Sequence, residues 1–116
     1  TARNGRRCSS AEANLKPARG RENLRVFTNA PAEILTFSPD GERVTGIVTR
    51  QNGLQVALTA RHEVILSAGA IGSPQLLMVS GIGAGDELSN QGIEVRRVVR
   101  GVCKNLQDLL QARPVF

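Results

Sequence analysis

At 116 residues, with 41 % apolar side chains and 12 glycines, the chain has the composition of one globular domain. Leu, Ile, Val and Phe make up about 28 % of it, which excludes a disordered tail, and a compact chain of this length has a radius of gyration of about 13 Å. The net charge of +5 is local, because residues 1–25 hold seven basic and two acidic side chains while the other 91 hold eight of each.

Residues 1–8 read as an exposed basic lead-in. Ser9 or Ser10 is placed to cap a short helix that runs through Leu15 and is stopped by Pro17. Residues 24–28 (Leu-Arg-Val-Phe-Thr) read as a strand, and residues 32–37 as a second one after the Ala30-Pro31 break. Ser38-Pro39-Asp40-Gly41 is a turn, because Pro presets φ and Gly accepts a positive φ. Residues 44–50 form the return strand. Asn52-Gly53 is a strong hairpin signal, and residues 55–60 then alternate, with Val56, Leu58 and Ala60 on one face.

Val64-Ile65-Leu66 breaks that alternation. A continuous apolar run of this kind fits a strand buried on both faces of a mostly parallel sheet. It leads through Ser67-Ala68-Gly69-Ala70 to Ser73-Pro74, which is a good cap and first-turn pair for a helix over residues 75–80 ended by Gly81. Asp86-Glu87-Leu88 opens another short helix, ended by Gly92. Residues 93–99 read as extended and residues 105–110 as one helical turn. A small-residue turn from a buried strand into a helix N-terminus lets a ligand approach the backbone and favours an anion there. The same pattern also serves as an ordinary tight connection.

The composition excludes several functions. No apolar run approaches the roughly 20 residues that span a bilayer, and the basic N-terminal segment lacks the hydrophobic stretch of a signal peptide. Cys8 and Cys103 have no metal-ligand spacing, so neither a metal site nor a disulfide scaffold is expected. The basic segment suits either a phosphate or nucleic-acid contact or a solvated edge, and the lack of Trp and Tyr removes a stacking platform for single strands. No catalytic residue is expected. The single histidine, His62, reads as a surface residue, Ser9, Ser10, Ser73 and Ser80 lack an activating base, and the carboxylates are scattered. Cys8 lies beside Arg6 and Arg7, which lower a thiol pKa, or it is a plain surface thiol.

Residues 69–83 read Gly-Ala-Ile-Gly-Ser-Pro-Gln-Leu-Leu-Met-Val-Ser-Gly-Ile-Gly. This stretch resembles the second signature of the glucose–methanol–choline (GMC) flavin oxidoreductases at all of its restricted positions. From ordinary residue frequencies the chance of that match is roughly 10⁻⁸. Arg6-Arg7-Cys8-Ser9-Ser10, Leu15-Lys16-Pro17-Ala18, residues 21–26, residues 63–69, Gly92-Ile93-Glu94-Val95 and Asn105-Leu106-Gln107-Asp108 resemble further blocks of the family in its order. The chain looks most like the choline dehydrogenase branch.

The resemblance implies a mixed α/β fragment of a GMC FAD-binding domain over residues 1–110, an incomplete Rossmann-like unit. It consists of a β-meander, a buried parallel-type strand and short helices. Residues 111–116 would begin the substrate-binding domain. The resemblance also implies that the parent enzyme transfers a hydride from an alcohol to FAD and passes the electrons to an acceptor. The backbone of Ala32 is expected beside the adenine, and those of Ser67, Ala68 and Gly69 beside the adenosine and diphosphate. The family's G-x-G-x-x-G and its catalytic His block are absent, so the chain by itself is expected to be inactive. Arg100-Gly101-Val102-Cys103 stands where the family has P-G-V-G. The expected setting is cytoplasmic, with peripheral membrane association of the parent left open. A rearranged fold, a homo-oligomer or poor solubility is expected from the unpartnered strand. The alternative readings are a non-catalytic basic module that contacts nucleic acid, and a degenerate flavoprotein remnant.

Overall fold

The computed structural model describes residues 2–108. The expected helical turn over residues 105–110 is absent as far as Asp108, and Leu109, Leu110 and the expected domain start at residues 111–116 lie outside the described residues. The fold is mixed α/β, with antiparallel strands and short helices.

A two-residue hairpin opens the chain, pairing β1 (Ala2–Arg3) with β2 (Arg6–Arg7) around Asn4 and Gly5, both at positive φ. Ala11–Leu15 wind as a π-helix that continues as α1 (Lys16–Ala18). Ser9 provides the cap, its Oγ accepting the Glu12 N–H at 3.3 Å. Pro17 does not stop the helix. It sits in the first turn of α1, where a missing N–H costs nothing.

The centre is an antiparallel meander of β3 (Ala32–Phe37), β4 (Val44–Gln51) and β5 (Leu54–Thr59) in that spatial order. Both turns behave as their residues dictate. Asn52 and Gly53 take φ of 50° and 81° between the paired ends Gln51 and Leu54. At the other turn the Asp40 carboxylate accepts the Ser38 hydroxyl and the Glu42 N–H. Along β5, Val56 and Leu58 are half-buried and their neighbours exposed, as the alternation requires.

The two apolar stretches outside the meander depart from expectation. Residues 24–28 form no strand, and Leu24, Val26 and Phe27 are exposed. Val64-Ile65-Leu66 is not a buried parallel strand either, because it joins no ladder and Ile65 is 77 % exposed. The described residues contain no neighbouring strands to receive them.

After this run comes α2 (Gly69–Val79), which begins four residues before the expected Ser73 cap. Pro74 therefore lies inside the helix, where it has no N–H for the Ala70 carbonyl. Gly81 ends the helix at φ 85°, and its N–H bonds the Met78 carbonyl at 2.9 Å. A side chain there would also meet the Glu94 carbonyl oxygen at 2.5 Å. Next come β6 (Ile82–Gly83), α3 (Gly85–Asn90) and β7 (Arg97–Val98), with β6 and β7 pairing in parallel. Of the expected extended run 93–99, only β7 is laddered.

The buried apolar core among the described residues is Leu35, Leu76 and Leu88. Ser80 and Thr49 are buried with them and hydrogen-bonded, Thr49 donating to the Pro31 carbonyl at 2.8 Å. No helix among the described residues is long and apolar enough to cross a membrane.

Candidate cofactor-binding site

The seam between β3 and α2 sets the geometry of the candidate site. Ser80, 2 % exposed at the end of α2, donates its hydroxyl to the Leu76 carbonyl at 2.6 Å. Its oxygen accepts the Leu35 N–H of β3 at 2.9 Å. One buried hydroxyl thus closes the helix and fixes it to the sheet. Sequence reasoning placed Ser80 at the end of the expected helix, within the family signature and as a serine without a base, but not as a bond to the sheet. The available signal was its fixed position directly before the helix-ending glycine of the signature.

The seam brings Ala32, at the start of β3, to a cavity of about 190 Å³ shared with Glu33, Gly72, Gln75, Leu76 and Val79. Ser67, Ala68 and Gly69 do not line it. They are exposed, and Gly69 opens α2 one helical turn before Gly72. Of the four expected residues, only Ala32 lines this cavity, and the other three lie at the start of α2 outside its lining.

The N-terminus of α2 is chemically open. The Ala68 N–H is taken by Ser73 Oγ at 2.9 Å, so Ser73 braces the first turn from within. The N–H groups of Gly69, Ala70 and Ile71 have no protein acceptor among the described residues. The first turn carries no acidic side chain, and a Cβ built on Gly69 would meet nothing within 4 Å. An anion with its attached groups can therefore approach this backbone without clash or charge repulsion. These features suit the diphosphate region of a dinucleotide. At about 190 Å³ the adjoining cavity falls below the roughly 300 Å³ at which ligand pockets begin, so it holds part of such a molecule at most.

A larger groove of about 690 Å³ lies on another face of α2, lined by Ile71, Leu77, Ile93, Val102 and Leu106 among others. It offers Lys104 as its only charged side chain.

Glu33 is the acid on the smaller cavity and is already bonded to Arg50 and Gln55, while Ser73, Cys103 and Lys104 line the groove without an acid or histidine beside them in its lining. His62 is exposed, and its carbonyl accepts the Arg43 guanidinium at 3.3 Å. Cys8 is half-buried, with its thiol 4.0 Å from the Ser9 carbonyl. Among the described residues no group of three metal-ligating side chains occurs. Two carboxyls titrate below their usual range. Glu33 does so because Arg50 and then Gln55 hydrogen-bond it, and Asp40 because of the Ser38 hydroxyl and then the Glu42 N–H. Both groups are fully partnered supports of the meander.

Cys103 has φ +60° in the turn where the family places glycine. The turn is kept, with the Lys104 N–H bonded to the Gly101 carbonyl at 3.2 Å, at the cost of a left-handed non-glycine residue.

Family comparison agrees with the motif. The GMC oxidoreductase family matches residues 1–111, and the chain belongs to that family. It is 47 % identical over 108 residues to an oxygen-dependent choline dehydrogenase of Staphylococcus saprophyticus, covering 93 % of this chain and 19 % of the relative. An uncharacterized GMC-type oxidoreductase of Mycobacterium tuberculosis is 46 % identical, over 95 % of this chain and 20 % of its own length. The glucose dehydrogenase [FAD, quinone] of Drosophila melanogaster is 42 % identical, over 93 % of this chain and 17 % of its own length. The chain thus spans about a fifth of the length of the curated relatives it matches.

Proposed function

We propose that this chain is part of the FAD-binding domain of an alcohol oxidoreductase of the choline dehydrogenase type. The parent transfers a hydride from a CH–OH donor to flavin, and the substrate-binding domain starts near residue 111. The observation that carries this reading is the unobstructed N-terminal turn of α2, at the position of the family signature, in a chain that belongs to the GMC family. FAD, when bound, supplies the hydride acceptor. The backbone N–H groups of Gly69, Ala70 and Ile71 would face its diphosphate, and Ala32 would border the adenine from the β3 side. Ser80 holds those two parts in register. Among the described residues the carboxylate on the cavity, Glu33, is already bonded to Arg50 and Gln55, so it is not free to accept the alcohol proton and we assign turnover to the larger polypeptide.

A chimera tests this. Residues 1–108 replace the matching segment of the S. saprophyticus relative, and flavin retention and choline oxidation are measured. The chimera is expected to retain FAD and turn over choline, with retention lost on Gly69→Val. A folded chimera that purifies without flavin overturns the reading. Mixed with FAD, choline and a dye acceptor, the 116-residue chain alone is expected to show no turnover.

A further inference from the structure

We propose that Ser9 is a phosphoacceptor for an arginine-directed protein kinase, with ATP as the phosphoryl donor. The surrounding sequence, Arg6-Arg7-Cys8-Ser9-Ser10, sets two guanidiniums three and two residues ahead of a hydroxyl. Kinases choose substrates by charge pattern, and an acidic substrate groove accepts paired arginines next to the acceptor. Arg6 and Arg7 form β2 and are exposed, and among the described residues neither has a carboxylate within ion-pair distance. Both charges are therefore available to a partner. Ser9 is exposed as well, in the link between β2 and the first helix. Its Oγ accepts the Glu12 N–H at a long 3.3 Å, and its O–H has no acceptor among the described residues.

The structure separates Ser9 from the other serines. Ser10 has the same arginines upstream, but its φ of −58° and ψ of −30° already place it in the helix, whereas a hydroxyl in line with the γ-phosphate needs a chain that lies open in the kinase groove. Ser38 is bonded to Asp40 and Arg43, Ser73 braces the Ala68 N–H, and Ser80 is buried. Ser67 follows three apolar residues, and Ser89 follows Asp86 and Glu87, whose charge an acidic groove repels. Thr28 has Arg25 three residues ahead but no second arginine beside it. In the transfer, Ser9 Oγ bonds to the γ-phosphorus of ATP as the bridging P–O bond to the β-phosphate breaks. ADP leaves, and the hydroxyl proton passes to the carboxylate base of the kinase. Glu12, the nearest acid in the sequence, is paired with Lys16 at 3.1 Å, so its charge is offset. A phosphate of about −2 takes the net +5 of residues 1–25 to about +3, so modification regulates whatever this basic segment meets. The proposal goes beyond the flavin reading and does not depend on it.

The test incubates the full 116-residue chain with magnesium, ATP and a purified arginine-directed serine kinase, and maps the phosphate by tandem mass spectrometry. One phosphate per chain is expected, on Ser9. Ser9→Ala is expected to abolish incorporation, while Ser10→Ala and Thr28→Ala leave it unchanged. A hydrogen-bonded charge is worth enough that Arg6→Gln and Arg7→Gln should each lower kcat/KM for the kinase by about 10-fold or more. Site mapping on the unsubstituted chain keeps the proposal testable even where a variant loses its fold. Phosphate on Ser10 to the same extent as on Ser9 overturns the proposal, because the helix start then does not separate the two. Modification of Thr28 in place of Ser9 overturns it, as does a chain that takes up no phosphate. Full incorporation into the Arg6→Gln, Arg7→Gln double variant also overturns it, since the paired charges would then play no part in recognition.

Discussion

Replacing Ser80 by Ala removes a single oxygen and leaves the Leu35 N–H without a partner in a site that is 2 % exposed. The Leu76 carbonyl keeps a second donor, because the Ser80 N–H also points to it at 3.2 Å, so the penalty falls on the strand amide. An unsatisfied buried donor costs about 1–3 kcal/mol. Taking about 2 kcal/mol, a chain of this size should melt roughly 8 °C lower. The assay is urea and thermal unfolding followed by far-ultraviolet circular dichroism, since the chain has no Trp or Tyr for fluorescence. Ser89→Ala, on the exposed face of α3, is the control and should change stability by less than about 0.5 kcal/mol. If Ser80→Ala is no worse than Ser89→Ala, the hydroxyl does not join α2 to β3 and the register of the candidate site loses its support. In the chimera the same substitution should weaken flavin retention without touching any residue expected beside the cofactor.

Leu88→Ala empties a fully buried position beneath β6 and is expected to cost about 2–5 kcal/mol in the same urea assay. Cys103→Gly relieves a left-handed φ of +60° and should raise stability by up to about 1 kcal/mol, and a fall in the melting temperature would show that the thiol makes a compensating contact. The carboxyls of Glu33 and Asp40 are held below their unfolded values by hydrogen bonds, so they stabilise the fold above the ordinary carboxylate range of about 4. That stabilisation should disappear as pH falls through the lowered folded values. The urea midpoint is therefore expected to drop below about pH 4, and Glu33→Gln should shrink that drop.

The meander was legible because its instructions are local. Gly41 and Asn52-Gly53 accept the φ values their turns need, and the alternation of Val56 and Leu58 sets the buried face of β5. The family was legible in the residues of 69–83, most of which lie on one helix and its ending turn. The Asn4-Gly5 hairpin was missed because Ala2-Arg3 and Arg6-Arg7 give no apolar alternation around it. The early start of α2 was missed because Ser73-Pro74 carries a strong capping signal, and only the path of the chain shows that Ser73 braces Ala68 from inside the helix. Residues 24–28 and 64–66 carry strand sequence without strand structure, since a ladder needs a neighbour and sequence pattern names only one side of it. The sequence by itself determined the turns, the helix-ending glycines, the family and the small residues at the candidate site. Tertiary structure alone decided that one buried serine hydroxyl joins α2 to β3 across 45 residues of chain, and that Ala32 thereby comes to the helix that Gly69 opens. Contacts between distant segments depend on how the elements pack, and no local pattern encodes that.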